Sequence, residues 1–133
     1  MSKLVCNCGG VISNVHYPSP TEGSIMKEQE EERCVDGICA DLVAFFQAVG
    51  SGDRDGWIRG YFLNQYPTSL SDESVVSDII TRGLQGTLLR VCECQNCGRL
   101  HLQRRSGENQ YLSFAPDGTK YQAVLKSRND EKA

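Results

Sequence analysis

The clearest hydrophobic pattern in the chain runs from residue 34 to 49. At about 100° per residue, Cys34, Val35, Ile38, Cys39, Leu42, Phe45, Phe46 and Val49 fall within an arc of about 140°, with Asp36, Asp41 and Gln47 outside it. This predicts an amphipathic helix whose apolar face must offset Gly37, at a cost of about 1 kcal/mol relative to Ala. The stretch Val49-Gly50-Ser51-Gly52-Asp53-Arg54-Asp55-Gly56 ends that helix, having the glycines of a C-cap and loop. A second, short buried helix is predicted from Trp57 to Tyr66, closed by Pro67. A third is capped by Ser71, carries Asp72 and Glu73 in its first turn, buries Val75, Val76, Ile79 and Ile80, and ends near Gly83 or Gly86.

From Thr87 the pattern shifts to strands: Leu88 to Cys92, Leu100 to Arg104 and Tyr111 to Phe114, with Ser106-Gly107-Glu108-Asn109 as the turn between the last two. Pro116-Asp117-Gly118 reads as a further turn, Tyr121 to Leu125 as a short final element, and Tyr17 to Ser24 as a loop. The fold class expected is therefore α+β: a small antiparallel sheet with an α-helical insertion. The expected organisation is a single domain over 1–133, with the ribbon at 1–16 and 87–125, the helical insertion at 24–86 and a mobile polar tail at 126–133.

With 133 residues, 39% hydrophobic and 23% charged, the chain has the length and composition of one globular domain. No uninterrupted apolar run approaches the roughly 20 residues of a membrane helix, so no membrane association is expected. The start, Met1-Ser2-Lys3-Leu4-Val5-Cys6-Asn7-Cys8, lacks the apolar stretch of a secretory signal, which predicts a cytoplasmic location. Cysteines kept in a reducing compartment are read as metal ligands before disulfides, the more so as there are seven of them.

Five of the seven lie in two short clusters. Cys94-Gln95-Asn96-Cys97-Gly98 has the two-residue spacing by which one tight turn brings two thiolates to a tetrahedral ion. Cys6-Asn7-Cys8-Gly9-Gly10 is one residue shorter, so a bend at the glycines is required for its thiols to converge. Together Cys6, Cys8, Cys94 and Cys97 form a candidate site for one structural Zn2+, closed by four thiolates and without a position for a catalytic water. Cys92 also precedes Cys97 closely, but Cys94 preserves the spacing. Cys34 and Cys39 are five residues apart, too far around a helix to share an ion, and are expected in the core. His16 and His101 are expected to be ordinary hydrogen-bonded histidines, and no arrangement for nucleophilic catalysis is seen, so the protein is not expected to be an enzyme.

Charge divides unevenly: residues 1–80 carry five basic and twelve acidic groups, and residues 81–133 carry nine and five. The acidic excess includes Glu28, Glu30, Glu31 and Glu32, which suit a helix start and also mark a candidate surface for a basic protein partner. The basic excess, with Arg90, Arg99, Arg104, Arg105 and Tyr111, offers the alternative of a nucleic-acid-binding or regulatory ribbon.

Three segments carry a family resemblance: Cys6-Asn7-Cys8-Gly9-Gly10-Val11-Ile12-Ser13, Cys94-Gln95-Asn96-Cys97-Gly98-Arg99-Leu100, and Tyr111-Leu112-Ser113-Phe114-Ala115-Pro116-Asp117. They resemble small bacterial zinc-ribbon proteins, which open with CxCG and Val-Ile-Ser and close with CxxCGRL and a strand ending in Phe-x-Pro and an acid. The resemblance spans about a third of the chain and spares its middle; Cys34, Cys39 and Cys92 stand outside it. It implies a split ribbon inside the bacterial cell, with Cys6, Cys8, Cys94 and Cys97 as ligands. Because some such proteins look like immunity proteins, it also implies a cognate toxin as partner, neutralised by direct binding.

Overall fold

The computed structural model describes residues 3–13, 17–63 and 65–128. His16 and the end of the tail, from residue 129, lie outside the described residues. The fold is α+β, with two antiparallel sheets and three helices among the described residues, and the chain divides into two compact units: a ribbon unit (Met1–Met26 and Leu88–Ala133) and a helical unit (Lys27–Thr87).

In the ribbon unit, β1 (Lys3–Val5) and β2 (Val11–Ser13) form a two-stranded ribbon around the first cysteine pair, with Leu4 opposite Ile12. A four-stranded sheet follows in the order β3 (Glu22–Ile25), β4 (Leu89–Glu93), β5 (Leu100–Gln103) and β6 (Tyr111–Phe114). Strand β3 corrects the reading of Tyr17 to Ser24 as a loop. Glu22-Gly23-Ser24-Ile25 shows no apolar alternation; it becomes a strand because β4 offers a free edge, and Gly23 lets the Leu125 side chain approach closely.

Alternation sends His101 and Gln103 to one buried face while Leu100 and Leu102 are half-buried on the other. Tyr121 to Leu125 is irregular rather than a regular element. What holds it is the carboxylate of Glu93, 1% exposed, which accepts the backbone N–H groups of Gln122 (3.1 Å) and Val124 (2.9 Å). Two charge-assisted bonds replace the strand ladder that this stretch cannot form.

The helical unit holds α1 (Glu28–Ser51), α2 (Arg54–Phe62) and α3 (Asp72–Gln85). Helix α1 begins six residues before the apolar pattern, because Glu28, Glu30 and Glu31 occupy its first turn, where the helix dipole favours them. It ends on Gly52 in the left-handed conformation (φ 81°). Ser71 caps α3 by accepting the Ser74 N–H, as expected. Helix α2 stops at Phe62, four residues short of the expected end, where Leu63 turns to φ 71°.

The core of this unit is Phe45, Ile58, Val75 and Ile79, all fully buried, packed around by Leu42, Trp57, Tyr61, Phe62, Tyr66 and Val76. Each such side chain contributes about 2 kcal/mol of burial. Gly83 permits a close approach of α3 to α1: Cys34 donates to its carbonyl (3.5 Å), and a Cβ there would overlap Ile38.

The expected apolar face of α1 is only half used. Cys34 and Phe45 are buried and Ile38 and Leu42 half-buried, whereas Val35, Cys39, Phe46 and Val49 are exposed. Cys39 is therefore not a core residue, because α2 and α3 cover one side of an arc too wide for two short helices to cover. By length and composition alone α1 is also long and apolar enough to cross a membrane, with 17% of its most apolar window buried. The expectation from uninterrupted runs missed this, since isolated Asp36, Asp41 and Gln47 break the run without making the helix polar on average.

Candidate metal centre

The site is built by two turns. In the first, Cys6 N–H bonds the Gly10 carbonyl (2.8 Å) and Gly9 N–H the Cys6 carbonyl (2.9 Å), with Gly9 at φ 93°. This left-handed glycine makes the bend that a one-residue Cys spacing requires. In the second, Gly98 N–H bonds the Cys94 carbonyl (2.8 Å) and Cys94 N–H the Arg99 carbonyl (2.9 Å), with Gly98 at φ 79°. A Cβ at Gly98 would strike the Lys120 carbonyl oxygen, so space as well as φ demands glycine.

The turns bring Cys6, Cys8, Cys94 and Cys97 together with all four Sγ atoms within 4.8 Å of one another. Cys6 and Cys97 stand 3.5 Å apart and Cys8 and Cys94 3.7 Å. A tetrahedron with Zn–S bonds of about 2.3 Å has S···S edges of about 3.8 Å, so an all-sulfur donor set of this size fits zinc. Cys6 and Cys94 are buried and packed with Ile12, Cys92 and Leu4, while Cys8 is exposed and Cys97 half-buried.

Polar neighbours prepare the outer pair to be thiolates. Cys8 accepts from the Asn96 amide (3.3 Å) and the Gly10 N–H (3.4 Å), which bring its thiol down to about 6. Cys97 is lowered chiefly by the Arg99 backbone N–H, and the Arg99 guanidinium adds a bond of 3.4 Å. Burial pushes the Cys6 thiol up to about 12, so a metal ion at this site must displace its proton. Asn96 and Arg99 are neighbours of the ligands that spacing alone did not single out; their places inside and just after the CxxCG turn were the available signal.

Cys92, left open by the sequence, lies outside this group. It is buried on β4, with its Sγ 3.9 Å from the Glu22 carboxylate, and burial followed by that carboxylate raises its thiol. The register aligns Glu22, Cys92, His101 and Ser113 across the four strands. His101 is 2% exposed, shares a 2.8 Å hydrogen bond between its Nδ1 and Ser113, and burial followed by Arg99 lowers its pKa. It stays neutral near pH 7 and ties β5 to β6 through Nδ1, while its buried Nε2 has no hydrogen-bond partner.

Residues 2–118 match the model of a domain of unknown function, DUF8617. The chain belongs to the DUF8617 family. No curated protein and no solved structure matches it. In this DUF8617 member the match covers both cysteine turns and every strand and helix from β1 to β6 among the described residues. Glu28, Glu31 and Glu32 are exposed on the first turns of its α1, and Glu30 pairs with Arg33.

Proposed function

We propose that this protein is a non-enzymatic, cytoplasmic zinc protein that neutralises a cognate bacterial toxin by binding it directly. The observation carrying the zinc reading is the cluster of Cys6, Cys8, Cys94 and Cys97, whose donor set and spacing suit a closed structural site. Such a site joins the two cysteine turns of the ribbon unit.

The partner reading is supported by charge and by the resemblance to small zinc-ribbon proteins, some of which look like immunity proteins. The helical unit carries eleven acidic against five basic residues, while the ribbon unit carries six against nine. An acidic surface of this kind accelerates and selects encounters with a basic protein, as many toxins that act on nucleic acids are. A second reading, a nucleic-acid-binding ribbon, rests on Arg104 and Arg105, exposed together beside Asn109 and Gln110.

Co-expression tests the first reading. The protein should rescue cells from the product of the neighbouring gene and co-elute with it; failure of both would remove the toxin from the proposal. Salt-sensitive retention on nucleic acid, lost in Arg104→Glu/Arg105→Glu, would favour the second.

A further inference from the structure

A single line of residues runs along the outside of α1: Glu28, Glu32, Val35, Cys39, Val43 and Phe46, spaced by three or four and all exposed. That spacing keeps them on one side of a helix for 18 residue steps, about 27 Å. Val35, Val43 and Phe46 are 50%, 54% and 55% exposed, on the flank of the helix next to the side that fills the core of its unit. A helix that serves only its own core shows a polar outer face; this one shows an apolar stripe that ends in carboxylates.

We infer that this stripe is the docking face for a basic amphipathic protein segment: an apolar ridge that covers Val35, Cys39, Val43 and Phe46, with Lys or Arg side chains set against Glu28 and Glu32. The occupant follows from charge. Glu31 and Asp36 border the same turns and are exposed; against them stand only Lys27 and Arg33, the latter paired with Glu30, so the charge beside the apolar strip is net negative. Two copies of the helix side by side set these carboxylates against each other. In the reverse direction they meet the negative end of the partner helix, whose last turn carries no basic residue. Anionic membrane surfaces are repelled by the same groups. A basic segment satisfies both halves of the stripe, with Phe46 and its apolar neighbours as anchors and the acids setting register and encounter rate.

The inference rests on the protein-binding reading above and sharpens it to one face. Its test uses the full zinc-loaded chain and an 18-residue synthetic amphipathic helix of Leu and Lys, with a Leu and Glu peptide of the same apolar pattern as counterpart. The Leu/Lys peptide should bind, slow the alkylation of Cys39 by iodoacetamide, and lose about tenfold or more in affinity against Val43→Asp/Phe46→Asp. Glu28→Gln/Glu32→Gln should flatten the salt dependence of binding. The alkylation readout needs no substitution, so it stands even where a variant folds poorly.

Equal binding of both peptides, or binding and Cys39 protection that ignore the double variant, overturns the proposal. So does a wild-type dimer that becomes monomeric in Val43→Asp/Phe46→Asp, or uptake by phosphatidylcholine vesicles that the same variant abolishes. Peptide binding without rescue from the neighbouring gene's product removes the toxin and keeps the face. Rescue that survives the double variant keeps the toxin and removes the face.

Discussion

Replacing Cys94 by Ser, with Cys92→Ser beside it, separates a metal ligand from a thiol two residues away. Cys94 is 2% exposed and faces Cys8 across 3.7 Å; Cys92 is also buried, but its Sγ lies near Glu22. Cys94→Ser leaves three thiolates, and the zinc content should fall from one per chain to well below that in the presence of a competing chelator.

The stability cost follows from what the ion joins. Cys8 and Cys94 are 86 residues apart, and a permanent cross-link over that span restricts the unfolded chain by about 4.5 kcal/mol, an upper bound for a dissociable ion. A typical domain has about 5–15 kcal/mol in all, so the ribbon unit should melt markedly lower, by up to about 20–35 °C. Cys92→Ser should keep the zinc and lose only about 1–2 kcal/mol, for a hydroxyl against Ile12. Elemental analysis with differential scanning calorimetry reads both quantities, and chelation of the wild type should reproduce Cys94→Ser. Full zinc in Cys94→Ser, or loss of zinc in Cys92→Ser, would refute the assignment of ligands.

Zinc binding at pH 7.5 should release at least the Cys6 proton, since that thiol is held up to about 12, and affinity should drop more steeply once pH falls below about 6 and Cys8 also protonates. Calorimetry in buffers of different ionisation enthalpy measures the count; zero protons released would contradict the burial argument. Gly83→Ala should destabilise the helical unit by about 1–2 kcal/mol, the overlap with Ile38 outweighing the better helix propensity of Ala. In an Ile38→Ala background the same change should become neutral or stabilising by urea melts; a gain in the wild type would show that α1 and α3 are not in close contact there. Tyr61 and Tyr66 are both raised to about 12, first by burial and then by their bonds to Asp41 and Asp78. Their contribution is complete below pH 10 and is lost as pH rises toward 12, so alkaline unfolding should fall in that window and weaken in Tyr66→Phe. Absorbance at 295 nm that showed all five tyrosines titrating together near pH 10 would contradict this.

The elements written in local chemistry were legible residue by residue. Ser71 announced its helix because its hydroxyl meets the Ser74 N–H within one turn, and Gly98 announced the second cysteine turn because no other residue takes that φ so cheaply. The four ligands followed from spacing, since a turn of fixed geometry fixes where its two thiols point. Strand β3 and the path of Tyr121 to Leu125 were not legible, because neither has a pattern of its own; each is held by a distant partner, the β4 edge in one case and the Glu93 carboxylate in the other.

The same division separates the two halves of α1. Its hydrophobic period fixes a helix but not the width of face that its neighbours cover. The sequence by itself determined the helices, the cysteine turns and an all-sulfur site. The tertiary structure placed Cys92, which spacing had left without a role: it lies within β4 with its Sγ toward Glu22, while Cys94, just past the end of that strand, turns into the site. Tertiary structure alone decided that Val35, Cys39, Val43 and Phe46 remain outside, because burial depends on which elements arrive to cover a face.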